Sequence, residues 1–134
     1  MSAVWWLTDI DLGWWCEMTM ARLTADERPE LVFEFRVLRS WVERLRGLLG
    51  TSAAAAPVAL LKCGSVHTFG MSYPLDLAFI GELGEVLKVV RSVPPGEAHA
   101  CPGAAVTLER PADADRPWPQ LGEHLWICAM SAGF

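Results

Sequence analysis

The sequence has no cluster of positive charge. Its 11 Lys and Arg residues are outnumbered by 16 Asp and Glu residues, the formal net charge is -5, and no basic run interrupts this balance. Nonspecific nucleic-acid binding needs a basic surface that displaces counterions from phosphates. We therefore expect no nucleic-acid partner.

Long apolar runs are also absent. No stretch reaches the roughly eighteen apolar residues that a membrane-spanning helix needs, so no span is predicted. The N-terminal sequence MSAVWWLTDIDLGWWCEM has no basic residue ahead of its apolar part, and Asp9 and Asp11 interrupt it, unlike a secretory signal. We expect a cytoplasmic protein, with a periplasmic or secreted location left open.

Several signatures of catalysis and redox chemistry are missing. There is no GxSxG, no P-loop and no GxGxxG after a strand, so common hydrolase, NTPase and dinucleotide-binding patterns are absent. Cys16, Cys63, Cys101 and Cys128 form no CxxC pair. In a chain without a signal peptide, we expect reduced, partly buried thiols rather than disulfides. No cofactor is expected.

The composition is that of a globular protein: of the 134 residues, 52% are hydrophobic and 20% are charged. This length suits one domain with a core of its own. Two Trp-Trp pairs lie near the N-terminus without a clear period. We predict a Trp-rich extension at residues 1–30 and a single β-rich domain at residues 31–130. Alternatively, the natural start is Met18 or Met20.

The periodicity of the domain is mainly that of β-strands. Residues 31–38 alternate apolar and polar side chains, which predicts a half-buried strand. Further strands are predicted at residues 58–62, 75–80, 86–93, 104–109 and 121–130, the second and third of these forming a hairpin. Ser40 and Glu43 form a capping box, which predicts one short helix near residues 40–49. The predicted fold is a small antiparallel sandwich or partly closed barrel, with α+β as the alternative.

The order of several motifs resembles a known family. RLRGLLG, CGSVHTFGM, YPLDLAFI, the hairpin GELGEVLKVVRSVPP and TLE follow one another over about residues 31–125, as in the domain of unknown function 192 family. The resemblance implies a compact, mainly β, jelly-roll-like domain and no established reaction. Another branch of the family carries an aromatic residue followed by Met-Lys-Asn-Thr where this chain has HTFGM, which implies that His67 is not required throughout the family.

Asp76 is the residue whose position the core does not explain. It lies between Leu75 and Leu77 in a strand that is apolar on both faces, where an unpaired carboxylate is costly. We predict that Asp76 is buried and bonded to Arg46 or to backbone N–H groups near Thr68 and Phe69. The pair forms either the floor of a ligand pocket or a structural tie.

Other side chains complete the candidate site. His67 is a general base or metal ligand, or a loop histidine packed against Phe69. Glu109 ends a strand as a solvated charge, or lies near Asp76 as a carboxylate pair. The ligand-binding candidates are Arg46, His67, Thr68, Met71, Asp76 and Glu109.

A metal site is a minor alternative to an expected absence of metal. Cys63, His67, His99 and Cys101 supply the donors of a tetrahedral Zn site, although their spacing matches no common zinc knuckle. We expect no metal, because sequence alone does not bring these two pairs together.

The leading functional hypothesis is a noncatalytic binding or accessory module for a small molecule or a peptide. One alternative is a small hydrolytic or metal-dependent enzyme that uses His67 and Asp76. Another is an adaptor that docks on a protein partner through its Trp-rich N-terminus. The oligomeric state stays open.

Overall fold

The chain is described by a computed structural model over residues 19–38, 47–48 and 50–132. Within these ranges there is no helix and there are nine strands, which confirms the predicted mainly β class. They are β1 (Thr19–Ala25), β2 (Arg28–Leu38), β3 (Val58–Leu61), β4 (Ser65–His67), β5 (Leu75–Gly81), β6 (Val86–Val93), β7 (Ala98–Ala100), β8 (Ala104–Pro111) and β9 (Leu125–Ala132). No helix in this part of the chain is long and apolar enough to cross a membrane.

Seven strands form one large sheet in the order β6-β5-β8-β3-β2-β1-β9, and β4 pairs with β7 in a separate ribbon. The predicted hairpin is confirmed, because β5 and β6 pair antiparallel. The prediction of a purely antiparallel sheet is wrong at one point, where β2 and β3 run parallel. A parallel pair needs a long crossover, which residues 39–57 provide.

The two faces of the large sheet carry separate apolar cores. Side chains alternate along β8, so Leu108 and Arg110 lie on one face and Thr107 and Glu109 on the other. We call these the Asp76 face and the Glu109 face. On the Asp76 face the sheet curls around Phe35, Leu108 and Trp118. The Glu109 face is covered by the β4–β7 ribbon and by the connections around Leu48 and Tyr73.

The large sheet is not closed into a barrel, but its two outer strands touch at one corner. Glu85, just before β6, forms an isolated bridge with His124, just before β9. The Leu125 N–H donates to the Gly84 carbonyl at 2.8 Å, and the Val86 N–H donates to the Glu123 carbonyl at 2.8 Å. The curled sheet is therefore pinned at this corner.

Both outer strands are irregular along their length. The pairing of β6 with β5 shifts register twice, and that of β9 with β1 shifts where Cys128 has no opposite residue. Register shifts of this kind bend a strand and discourage pairing with another chain.

Sequence patterns missed three strands. β1 lies inside the segment predicted as an extension, and it pairs with both β2 and β9, so the described sheet includes residues from Thr19 onward. β4 and β7 have three residues each, too few for an alternation to be seen. Residues 1–18 and most of the helix predicted at 40–49 lie outside the described residues; of the latter, Gly47 and Leu48 form a turn.

The pinned corner gives a test of the fold. Gly84 has φ +87, and a Cβ there would lie 2.4 Å from the Leu125 carbonyl oxygen. Gly103 has a similar φ of +89, with nothing within 4 Å of an added Cβ. We expect Gly103→Ala to lower the free energy of unfolding by about 1 kcal/mol through backbone strain alone. Gly84→Ala should cost at least about 2 kcal/mol more, because the clash separates the two outer strands.

Urea denaturation of the two variants measures this difference directly. Equal losses for Gly84→Ala and Gly103→Ala would show that the corner contact does not stabilise the sheet.

Candidate functional site

Asp76 is buried, as predicted, with 1% of its surface exposed. Its Oδ1 accepts a hydrogen bond from the Ser92 N–H and forms an ion pair with Arg91 Nε, both at 3.0 Å. Its Oδ2 accepts from Arg110 Nε at 2.9 Å and from the Asp113 N–H at 3.1 Å. Each carboxylate oxygen therefore has two donors. Of the two roles predicted for Asp76, a structural tie fits this carboxylate better than the floor of an open pocket.

The predicted partners of Asp76 were wrong for the described residues. The Thr68 N–H donates to the Glu97 carbonyl at 2.7 Å and not to Asp76. Arg46 lies outside the described residues. Arg110 pairs with Asp76 because the two residues are directly opposite on β8 and β5. Adjacent side chains on one face of antiparallel strands meet in this way.

The Arg110 guanidinium is almost fully bonded in turn. It donates to Asp76 and to the backbone carbonyls of Asp113, Arg116 and Pro117, all at 2.8–2.9 Å. It also stacks over the Trp118 ring, with Cζ 4.5 Å from the ring centroid. The pair therefore folds the loop after β8 onto the sheet and fixes the position of Trp118.

The hydrogen bonds to Asp76 outweigh its burial. Burial raises the pKa of this carboxyl, but the donors from Ser92, Arg110, Asp113 and Arg91 together lower the pKa below its usual 3.8. Asp76 is thus ionised at neutral pH and has no free acceptor for a substrate proton. Its environment does not favour a general base.

Glu109 is not the solvated charge that its strand-end position predicts. It is 4% exposed and lies on the Glu109 face, opposite Val58 and Leu77. The alternative of a carboxylate pair is wrong as well, because Asp76 lies on the other face of the sheet. Within the described ranges no hydrogen bond or ion pair to Glu109 is formed, and burial raises its pKa to about 7.

The remaining candidates do not converge on one cavity. His67 is exposed on β4, and its ring lies 5.5 Å from that of Phe69. Thr68 is fully buried, and its hydroxyl donates to the Pro94 carbonyl at 2.7 Å and accepts from the Glu97 N–H. Met71 packs on the apolar core of the Glu109 face. The sheet separates all three from the Asp76 carboxylate.

The four-residue metal alternative is not assembled. All four residues are described, yet in that part of the chain no three His, Cys, Asp or Glu side chains come close enough to hold a metal. In the ribbon, His99 is opposite Val66 while His67 is opposite Ala98. The two imidazoles therefore lie on opposite faces, and His99 instead contacts Glu97 at 2.8 Å.

A cleft of about 220 Å³ lies beside β2 and the loop after β8. It is lined by residues of β1 and β2, by the segment before β3 and by the loop after β8. These residues are Met20, Leu31, Val32, Phe33, Glu34, Phe35, Ala56, Pro57, Arg110, Arg116, Pro117 and Trp118. Of the predicted site residues that the structure describes, none lines this cleft.

The cleft exists because β3 is short. β3 pairs with β2 only from Arg36 onward and with β8 only up to Glu109. The part of β2 before Arg36 and the part of β8 after Glu109 therefore have no described strand between them. The segment of Ala56 and Pro57 closes one end of this gap, and the Arg110–Trp118 stack forms its wall.

Sequence reasoning missed Arg110, Arg116 and Trp118. The signal that could have found them is the loop RPADADRPWP, in which two Arg and a Trp lie among prolines. A second missed contact holds the same loop: Arg28 donates to both Glu123 carboxylate oxygens and to the Trp118 carbonyl. Trp118 also donates its indole N–H to the Leu77 carbonyl at 3.2 Å.

Fold and site together define a mainly β domain, built on a curled mixed sheet, with a cleft in a gap between strands. The chain belongs to the DUF192 family, described as Uncharacterized ACR, whose model matches residues 21–116. This confirms the resemblance found in the motifs. A search of curated proteins gave no match.

Two solved structures share the fold. A protein of unknown function from Novosphingobium aromaticivorans DSM 12444 is 15% identical, with a TM-score of 0.62 over 81% of this chain and 84% of that one. A protein from Sinorhizobium meliloti 1021, named as a candidate transcription regulator, is 17% identical, with a TM-score of 0.66 over 84% of this chain and 95% of that one. At these identities the likeness concerns the fold alone.

The Asp76–Arg110 pair can be tested by a neutral substitution. We expect Asp76→Asn to lower the free energy of unfolding by about 3–5 kcal/mol, because it leaves a buried guanidinium without its counterion. The lowered pKa of Asp76 means that its stabilising effect is complete above about pH 4 and is lost as the pH falls through the folded-state pKa. Urea titrations from pH 2 to 7 measure both effects.

Glu34→Gln is the matched control, because Glu34 pairs with Arg22 on the exposed surface. It should change stability little at any pH. A loss for Asp76→Asn no larger than that for Glu34→Gln would contradict the role of the buried pair.

Proposed function

We propose that the protein is a noncatalytic binding module whose cleft takes a short, extended peptide segment that carries a carboxylate. The single observation that supports this proposal is the gap between β2 and the end of β8, which leaves a strand edge open inside a cleft. Extended peptides bind to such edges through main-chain hydrogen bonds, and their side chains fill adjacent pockets.

The backbone of β2 favours this mode of binding. The Arg36 N–H donates to the Pro57 carbonyl at 2.9 Å, on the side of β2 that faces β3. Because the direction of backbone groups alternates along a strand, the N–H and C=O of Glu34 point to the same side, which is the cleft. Between Arg28 and Phe35, no described strand pairs with this side of β2.

Charge and lining favour an acidic peptide. Arg116 is exposed at the cleft, and its side chain makes no hydrogen bond or ion pair with the described residues. The Glu34 carboxylate is already paired with Arg22 at 2.8 Å. The apolar lining from Leu31 and Trp118 suits a neighbouring aliphatic side chain. A cleft of about 220 Å³ is smaller than most drug-sized sites, which suits a few residues of a peptide.

The enzymatic alternative has less support. His67 and Asp76 lie on opposite sides of the sheet, and both carboxylate oxygens of Asp76 already accept hydrogen bonds from the protein. General acid–base catalysis needs both groups within reach of one substrate.

Selection from a displayed library of random seven-residue peptides tests the proposal. We expect the full chain to enrich peptides with at least one Asp or Glu next to an aliphatic residue. In ¹⁵N-labelled protein, the enriched peptides should shift the Glu34 amide proton downfield, because that N–H gains an acceptor. Arg116→Gln should weaken binding about tenfold, the effect of losing one charge-assisted hydrogen bond.

Lys88→Gln is the matched control, since Lys88 is a cation on β6, outside the cleft. It should leave binding unchanged. The proposal fails if no peptide is enriched, or if the enriched peptides bind the Arg116→Gln and wild-type chains equally and shift residues outside the cleft.

A further inference from the structure

Glu109 is a buried acid that neither the fold nor the cleft accounts for. Its neighbours across the strands, Val58 and Leu77, are apolar and almost fully buried. The turn that begins at Gly47 lies directly against it: a Cβ on Gly47 would be 3.0 Å from Glu109 Oε1. Leu48, the next residue, is 2% exposed and belongs to the same apolar cluster. The carboxyl group is therefore enclosed between the sheet and this turn.

Polar groups near Glu109 are engaged elsewhere. Thr107, two residues away on the same face, donates its hydroxyl to the Cys63 carbonyl at 2.7 Å. The Tyr73 and Thr51 hydroxyls contact each other, and Thr51 also bonds the Leu48 carbonyl. None of these groups bonds Glu109, so the carboxyl relies on no described donor.

Among the described residues, the charged and titratable groups on the surrounding elements do not compensate it either. On β2, Arg36 points to the Glu109 face but lies beyond Val58 and makes no ion pair with Glu109. On β5 and β8, Asp76 and Arg110 point to the opposite face. In the β4–β7 ribbon, His67 is exposed beside Phe69, and His99 contacts Glu97. Cys63 and Cys101 pack on the edge of the cluster as partly buried thiols.

We propose that Glu109 is a proton-operated latch for the turn at Gly47 and Leu48, which holds the turn when the carboxyl is neutral and loosens it on ionisation. An uncharged carboxyl packs between Val58, Leu77 and the Gly47 backbone at moderate cost. An ionised one is costly to bury without a partner, and the turn at Gly47 lies directly against it, so displacement of that turn would let water reach the charge. The turn contributes Leu48 to the core, so its displacement exposes apolar surface.

The direction of the pH effect follows from the burial of Glu109. Burial raises the pKa of Glu109 from its usual 4.5 to about 7. A raised pKa in the folded state gives stability that is complete below the unfolded-state value and is lost as the pH rises through the folded-state value. Between pH 4.5 and 7, the folding equilibrium constant should therefore fall by roughly two orders of magnitude through this group.

The test compares wild-type protein with Glu109→Gln, which keeps the shape and removes the charge. Urea denaturation at pH 4.5, 6 and 8 gives the difference in folding equilibrium constant. We expect the folding equilibrium constant of Glu109→Gln, relative to that of the wild type, to rise by up to about 100-fold from pH 4.5 to pH 8. Using the difference cancels the other titrating groups, including His124, whose pKa is raised by its bond to Glu27.

A local measurement separates a latch from a merely buried acid. The Thr51 N–H, which donates to the Leu48 carbonyl at 3.1 Å, should exchange with solvent faster in the wild type than in Glu109→Gln at pH 8, and equally at pH 5. The Leu125 N–H, at the pinned corner, should show no such difference. ¹³C NMR of the Glu109 carboxyl carbon gives its titration directly.

Glu82→Gln is the matched control, since Glu82 is exposed in the β5–β6 turn. It should reproduce the wild-type pH dependence. A Glu109 titration near 4.5, or identical pH profiles for wild type and Glu109→Gln, overturns the proposal. A shifted titration without faster Thr51 exchange also overturns it, because the turn would then not respond to the charge.

Discussion

The buried ion pair between Asp76 and Arg110 is the interaction on which most of this structure depends. A carboxylate inside an apolar sheet is costly unless its acceptors are filled, and here each oxygen of Asp76 has two donors. Those donors come from β6, from β8 and from the loop after β8. Satisfying one charge therefore fixes the irregular end of β6 and folds the RPADADRPWP loop onto the sheet.

The same ion pair also helps to fix the position of Trp118. The guanidinium of Arg110 stacks on the Trp118 ring, the indole N–H donates to the Leu77 carbonyl, and Arg28 holds the Trp118 carbonyl. With the loop held this way, the short β3 leaves a gap that the loop borders and does not fill. The cleft therefore forms beside the loop that the Asp76–Arg110 pair binds, and the same pair holds the wall of the cleft in place.

The sequence predicted six strands from alternating side chains or short apolar runs, missed β1 inside the Trp-rich segment, and singled out Asp76 because a charge interrupted an apolar pattern. The partner could not be predicted, since Arg110 is distant along the chain and meets Asp76 only through the register of β5 with β8. Glu109 was misjudged for the same reason. Its position at the end of an alternating strand indicates solvent, whereas the burial comes from the turn at Gly47 and from the β3 pairing. Strands of three residues, such as β4 and β7, are too short to have a period.

The alternation along β8 places an acid and a guanidinium, on adjacent residues, in very different surroundings. Arg110 faces its counterion and the cleft, while Glu109, one residue earlier, faces apolar side chains and the turn. Val58, opposite Glu109, directly follows Pro57, which lines the cleft. The turn at Gly47 and Leu48 is connected along the chain to Ala56 and Pro57 at the cleft, and β8 reaches the cleft through Arg110. Glu109, which has no partner among the described residues, therefore lies between the core of the Glu109 face and the wall of the cleft.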